Sequence, residues 1–142
     1  MTDQRPGRIR FDGVDKVYQT AEGGQTTALS AVSLSVEPGE LLTVVGPSGC
    51  GKTTLIRLVA GLEAPTAGRV QVDGRDVTDP APDRPVVFQS PRLFPWLTAR
   101  ENVAFGLREL DRDGEEVQRR AGELLDSVRL GGAGEAYPAE LS

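Results

Sequence analysis

The sequence predicts an α/β fold, and three observations carry the prediction. Residues 41–45, LLTVV, are a short apolar run ending at a glycine, the pattern of a strand covered on both faces in a parallel sheet. A glycine-rich loop follows at once. Residues 52–62 then place Leu55, Ile56, Val59 and Leu62 at helical spacing, with Gly61 near the stop.

The remaining elements follow in chain order. Residues 8–18 alternate loosely and predict a strand running into a turn, and the polar, glycine-bearing stretch 20–28 predicts a hairpin tip. Residues 29–40 alternate Val32, Leu34 and Val36 with serines, as a half-buried strand does, before a Glu-Pro-Gly turn. The first 40 residues thus read as a small antiparallel unit. Residues 68–74 predict a strand that enters an Asp-Gly turn and returns to that unit, 76–85 a proline-rich loop, and 86–89, VVFQ, a short buried strand. Residues 90–97 are an irregular apolar segment broken by prolines. Thr98 and Glu101 then form a T-x-x-E capping box that opens a helix. A second helix spans 114–129, with Val117, Ala121, Leu124, Leu125 and Val128 on one face, and 131–142 close the chain as loop. No internal repeat or low-complexity tract is present.

Composition narrows the function. A chain of 142 residues, 38% apolar and 26% charged, is one domain or part of one. No apolar run approaches the roughly 18 residues of a membrane helix, and the N-terminus has no apolar signal core, so the expected location is cytosolic or peripheral on the cytosolic face of a membrane. A net charge of −5 speaks against a nucleic-acid partner. The single cysteine excludes a disulfide framework, and the absence of histidine removes imidazole acid–base chemistry and histidine metal sites. Lys16 and Lys52 are the only lysines.

The loop itself matches G-x-x-x-x-G-K-[ST]: Gly46, Pro47, Ser48, Gly49, Cys50, Gly51, Lys52, Thr53. Glycines let successive backbone N–H groups turn inward toward phosphate oxygens, and the following helix adds about half a positive charge at its N-terminus. Lys52 supplies a full charge to the β and γ phosphates. The Thr53 hydroxyl can ligate a Mg²⁺ that bridges them. The bland alternative is a glycine turn with a solvated lysine. Cys50 has no histidine to activate it and reads as a small side chain in a loop that works through its backbone. Such a loop alone leaves kinases, GTPases and transport ATPases open.

The later segments discriminate. The stretch 86–107, VVFQSPRLFPWLTARENVAFGL, placed after the loop and its helix, resembles the ATP-binding subunits of ABC transporters, and the resemblance runs from about Ile9 to Ser142. LFPWLT, with Trp96, is most similar to importers of nitrate, sulfonate, taurine and related small anions; sugar and polyamine importers look similar but often carry another residue there. The resemblance implies a P-loop NTPase fold of the ABC type. An antiparallel β subdomain would comprise 8–40 and 68–74, the phosphate-loop strand and helix 41–62, and the glutamine loop with part of the helical subdomain 86–142, around an incomplete parallel-sheet core. It implies ATP and Mg²⁺ as cofactors, bound through residues 46–54, Thr54 included. It places Tyr18 against the adenine ring, although a strand-end tyrosine can equally be packing. Gln89 becomes the Mg²⁺- and water-contacting glutamine that senses the γ-phosphate, so that Lys52 and Gln89 carry the catalytic roles. Leu93, Phe94 and Trp96 would meet the transmembrane permease subunits, or else form a satellite core. Residues 137–142, YPAELS, resemble the approach to the signature loop that grips ATP on a second ATP-binding subunit, with Leu141 and Ser142 its first residues. A solute-binding protein is an indirect partner, and solute specificity lies outside the ATP-binding subunit.

By the same resemblance the chain holds a little more than half of the family's domain. The signature glycines, the strand with the Mg²⁺-holding aspartate, the glutamate after it and the switch histidine do not occur within it. GGQ at 23–25 and VQVD at 70–73 are decoys, the first in a hairpin-like loop, the second interrupted by Gln71 and turning at Asp73-Gly74. The expectations are therefore a fragment of a longer ATPase, inactive in hydrolysis alone and with an open central strand edge, or a non-hydrolytic nucleotide-binding module. A P-loop small-molecule kinase would need an arginine-rich lid; Arg119 and Arg120 read more simply as a solvated helix face.

Overall fold

The structure is a computed structural model and describes residues 6–90, 93–108 and 113–141. It comprises two compact units, Met1–Val87 and Phe88–Ser142.

In the first unit the alternating N-terminal pattern becomes a hairpin. β1 (Ile9–Gln19) and β2 (Gln25–Val36) pair antiparallel from Ile9 opposite Val36 to Gln19 opposite Gln25. GGQ sits at its tip, where the Gly24 N–H donates to Thr20 Oγ1 at 3.0 Å. β3 (Ala67–Val72) pairs with the other side of β1, and β4 (Arg75–Asp76) pairs with β3, giving the order β2-β1-β3-β4. The Asp-Gly turn forms as the sequence predicts: Asp73 and Gly74 have φ of 50° and 76°, the doubly left-handed geometry of a two-residue hairpin. Asp73 serves structure, its carboxylate accepting from the N–H groups of Gly7 and Arg8 at 2.8 and 2.9 Å.

α1 (Lys52–Val59) closes the core of this sheet. Leu58 is 1% exposed and joins Phe11, Val14, Leu29, Val70 and Val77 in one cluster, with Leu55 and Val59 packed at its margin. Burying each such side chain contributes about 1.5–3 kcal/mol. The sequence predicts a helical face of Leu55, Ile56, Val59 and Leu62, but Ile56 and Leu62 are exposed. The helix also stops three residues short of Leu62. The correction has a physical reason: the described sheet is wholly antiparallel and meets the helix through Leu58.

The same reason corrects two strand predictions. Residues 41–45 and 86–89 carry no strand, with Leu41 90%, Val45 83% and Val87 98% exposed. A strand buried on both faces needs parallel neighbours, and the described residues contain none to pair with it.

In the second unit the capping box is present. The Thr98 N–H donates to Glu101 Oε2 at 2.8 Å and the Glu101 N–H to Thr98 Oγ1 at 3.2 Å. It opens α2 (Ala99–Arg108). The other leading N–H groups are also satisfied: Ala99 donates to Ala136 O, Arg100 to Gly134 O and Asn102 to Thr98 O, each at 2.9 Å. Residues 109–112, which follow α2, lie outside the described residues. α3 (Gly114–Ser127) buries Val117, Ala121 and Leu125, and Val117 and Ala121 pack with Ala104 of α2. Leu124 and Val128, predicted on that face, are exposed. Arg119 pairs with Glu116 and Glu123, and Arg120 with Glu123, as i,i+3 and i,i+4 pairs on a solvated face. The closing stretch, predicted as loop, contains two short 3-10 turns, Gly131–Ala133 and Pro138–Glu140.

Candidate functional site

The glycine loop is anchored at its helix end by close backbone approach. Gly51 is buried with φ 94° and ψ 0° and caps α1. A Cβ there would lie 2.6 Å from the Ala28 carbonyl oxygen and 2.8 Å from Leu29 Cδ2 of β2, so only glycine lets the loop rest against the strand. At the other end a Cβ on Gly46 would lie 2.7 Å from Cys50 Sγ, which brings the two ends of the loop together.

Lys52 bridges that closure. Its Nζ donates to the carbonyl oxygens of Gly46 and Pro47 at 2.8 and 2.5 Å and lies 3.5 Å from Cys50 Sγ. The first intrahelical bond runs from the Leu55 N–H to Gly51 O at 3.0 Å, so the N–H groups of Lys52, Thr53 and Thr54 have no partner within the helix. No acidic side chain occupies the first turn. Unpaired N–H groups, a positive helix terminus, one ammonium and no carboxylate together favour an anion with several oxygens. A polyphosphate fits this donor set. Thr53 is exposed at the first turn and could ligate a cation. Among the described residues no group of three or more Asp, Glu, His or Cys could hold a metal. A Mg²⁺ here would therefore draw most of its oxygens from phosphate and water.

Tyr18 and Thr54 belong to the same neighbourhood. The Tyr18 hydroxyl donates to Glu63 Oε2 at 2.5 Å and lies 3.3 Å from Thr54 Oγ1. Because its one proton serves the carboxylate, Thr54 is the donor in the second bond. Lys16 Nζ lies 5.1 Å from the ring centroid, within cation–π range. It also pairs with Glu63 at 3.4 Å and donates to Ala64 O at 2.8 Å. Arg57 reaches the other Glu63 oxygen at 3.0 Å. Partial burial pushes the Glu63 carboxyl up, but hydrogen bonds from Tyr18, Arg57 and Lys16 outweigh it and hold the group below the usual carboxylate range.

The other predicted residues lie in the second unit. Gln89 is exposed and outside any helix or strand; the first unit gathers Tyr18 and residues 46–54 without it. Leu93 and Trp96 are exposed, Trp96 by 69%. Phe94 is half-buried, its ring centroid 5.5 Å from Trp96 and 4.7 Å from Phe105, so the segment combines a small aromatic cluster with an exposed face. Leu141 follows the Pro138–Glu140 turn, and Ser142 lies outside the described residues, as do Pro91 and Arg92.

Three residues that organise these sites escape sequence reasoning. Lys16 and Glu63 converge on Tyr18 from distant positions. Asn102 fixes the 94–98 segment: its Oδ1 accepts from the Phe94 N–H at 2.8 Å, and the two N–H groups of its Nδ2 are shared among the carbonyls of Phe94, Leu97 and Thr98 at 3.2, 2.9 and 2.9 Å. An asparagine in the first turn of a helix, four residues after a cap, was the available signal.

Comparison with known proteins decides among the classes that such a loop allows. The family model described as ABC transporter matches residues 29–142. The chain belongs to the ABC transporter family. It is 53% identical over 145 residues to an Fe(3+) ions import ATP-binding protein of Brucella suis biovar 1, covering 100% of this chain and 40% of that protein. It is 44% identical over 136 residues to a nitrate import ATP-binding protein of Synechococcus elongatus, covering 94% and 21%. Its fold superposes with a TM-score of 0.82 on the ATP-binding cassette MJ0796, solved as a post-hydrolysis dimer bound to ADP and Pi, at 33% identity and covering 94% of this chain and 63% of that one. This ABC family chain thus has the cassette's α/β fold and spans about two fifths of the length of the first of these import proteins. Among its described residues no helix is long and apolar enough to cross a membrane.

Proposed function

We propose that this ABC family chain is the nucleotide-binding part of an import ATPase, which holds Mg-ATP through residues 46–54. The carrying observation is the closed glycine loop on α1, with the Lys52 ammonium drawn inside it and no carboxylate in the first helical turn. Lys52 would move from the Gly46 and Pro47 carbonyls to phosphate oxygens, Thr53 would hold Mg²⁺, and Tyr18 would stack on the base. Gln89 would join the metal and attacking water. Bound Mg²⁺ would neutralise phosphate charge as it develops.

In the whole protein this part would act as one of two ATP-binding subunits, peripheral on the cytoplasmic face of the membrane, and couple ATP hydrolysis to solute uptake. The exposed Leu93 and Trp96, on a segment stiffened by Asn102, would meet permease subunits, with a solute-binding protein acting indirectly. Residues 8–40 and 68–74 would form the β subdomain, 41–62 the phosphate-loop portion, and 86–142 the glutamine-loop and helical portion. For the solute, the Trp96-bearing LFPWLT segment and the nitrate-import relative support a small anion such as nitrate, sulfonate or taurine. The higher identity to the Fe(3+)-import relative supports a metal ion as the second candidate.

A second reading, nucleotide binding without turnover by this chain alone, is favoured by the exposed apolar side chains of Leu41, Leu42, Val44, Val45 and Val87. Equilibrium binding of ATP with Mg²⁺ or with chelator, run beside phosphate release, tests both. Mg²⁺-dependent ATP binding supports the site. Turnover lost on Lys52→Ala would end the binding-only reading, and no ATP binding would end both.

A further inference from the structure

The Tyr18 ring is held by Glu63 and Lys16, which lie outside the glycine loop, and by Thr54 in the first turn of α1. Its hydroxyl is tied to Glu63 at 2.5 Å and to Thr54 at 3.3 Å, and the ammonium near its ring is itself fixed by Glu63 and by the Ala64 carbonyl. The second Glu63 oxygen is engaged by Arg57 of α1. Lys16 and Glu63 are only 15% and 20% exposed at their side chains, so the cluster is shielded from water more than an ordinary surface pair. One carboxylate thus joins β1, α1 and the segment after α1, and the ring it fixes is bonded to the helix whose first turn carries Lys52 and Thr53.

We propose that Glu63 is a positioning residue for the nucleotide base: it holds Tyr18 through its hydroxyl and holds Lys16 beside the ring, so that the other ring face is preorganised to stack an adenine. The inference rests on the reading of Tyr18 as the base contact. A free tyrosine would have to be ordered when the base binds, whereas a ring already fixed loses little further freedom. Ordering one such side chain is worth about three- to tenfold in affinity. The effect falls mainly on the base, because a triphosphate without one meets residues 46–54, of which Thr54 alone is bonded to Tyr18.

The test compares ATP with inorganic tripolyphosphate on the full chain, with folding checked by circular dichroism. Tyr18→Ala should abolish the preference for ATP over tripolyphosphate. Glu63→Ala should reduce that preference about three- to tenfold while tripolyphosphate affinity stays within about twofold of the parent. Glu63→Gln, which keeps an acceptor oxygen, should restore most of it. Tyr18→Phe should match Glu63→Ala, and the double variant should lose no more than either. If Glu63→Ala does not fold, Tyr18→Phe carries the test. The proposal is overturned if Glu63→Ala and Tyr18→Phe keep the full preference, if both ligands weaken equally, or if glutamine fails to rescue. Should Tyr18→Ala itself keep the preference, the base-contact reading fails first, a result distinct from failure at Glu63 alone.

Discussion

Replacing Gly51 by alanine tests whether the phosphate loop is built by close backbone approach to β2. Two costs add. The first is the backbone conformation: φ of 94° is left-handed, and an L side chain there costs about 1–2 kcal/mol. The second is overlap. The new Cβ would sit 2.6 Å from the Ala28 carbonyl oxygen and 2.8 Å from Leu29 Cδ2. Ala28 lies between Thr27 and Leu29, which face Val17 and Lys16 across the hairpin, so its carbonyl cannot retreat without disturbing β1. Such overpacking adds about 1–3 kcal/mol, for a total of roughly 2–5 kcal/mol. Gly49 is the internal control: its φ is 81° but a Cβ there meets nothing within 4 Å, so Gly49→Ala should cost only the backbone share. At about 2–4 °C per kcal/mol for a chain of this size, Gly51→Ala should melt roughly 4–20 °C below the parent and Gly49→Ala roughly 2–8 °C below it. Thermal unfolding by circular dichroism measures both. Equal melting temperatures for Gly51→Ala and the parent, or a larger loss at Gly49, would show that the loop does not depend on close approach of Gly51 to β2.

Asn102→Ala removes the Oδ1 acceptor and both Nδ2 donors that tie down the 94–98 segment and should destabilise the second unit by about 2 kcal/mol. Trp96, the only tryptophan, reports it by fluorescence during urea unfolding, and an unchanged midpoint would contradict the assignment. Trp96→Ala, by contrast, should shift stability by less than about 1 kcal/mol, because the ring is largely exposed; a larger loss measured by circular dichroism would make it core rather than surface. Acid should weaken the first unit through Glu63. Its folded carboxyl titrates below the unfolded value, so its contribution is fully present above about pH 5 and is lost as pH falls through the folded value. Glu63→Gln should therefore flatten the fall of the urea midpoint between about pH 5 and pH 3, and parallel curves would contradict it.

The sheet and helices are legible to different degrees for physical reasons. Val32, Leu34 and Val36 alternate with serines because one face of β2 packs on a core, and the Asp73-Gly74 turn is chosen by its positive φ values. Thr98 and Glu101 announce α2 because unpaired N–H groups at a helix start need local acceptors. These signals act within a few residues, and they survive intact. Residues 41–45 and 86–89 mislead because an apolar run specifies a strand only when neighbours exist to pair with it, which is information the run does not contain. Gly51 and Lys52 are readable from the loop motif, and the geometry adds why Gly51 in particular must lack a side chain. Lys16 and Glu63 are unreadable in advance: they meet through the pairing of β1 with β3 and the packing of α1, and nothing near either residue in the chain marks it. Asn102 is intermediate, since its spacing from Thr98 fits a local role but does not announce its bonds to Phe94 and Leu97.

If Lys52 and the loop it closes hold the polyphosphate of a nucleotide, removing the ammonium must weaken ATP binding. Calorimetric titration of the full chain with Mg-ATP, parent against Lys52→Ala, tests it most directly. Truncating a charged hydrogen-bonding partner of this kind should weaken ATP by about thirtyfold or more with the circular dichroism spectrum unchanged. An affinity for Lys52→Ala within about threefold of the parent would contradict the assignment of residues 46–54 as the nucleotide site.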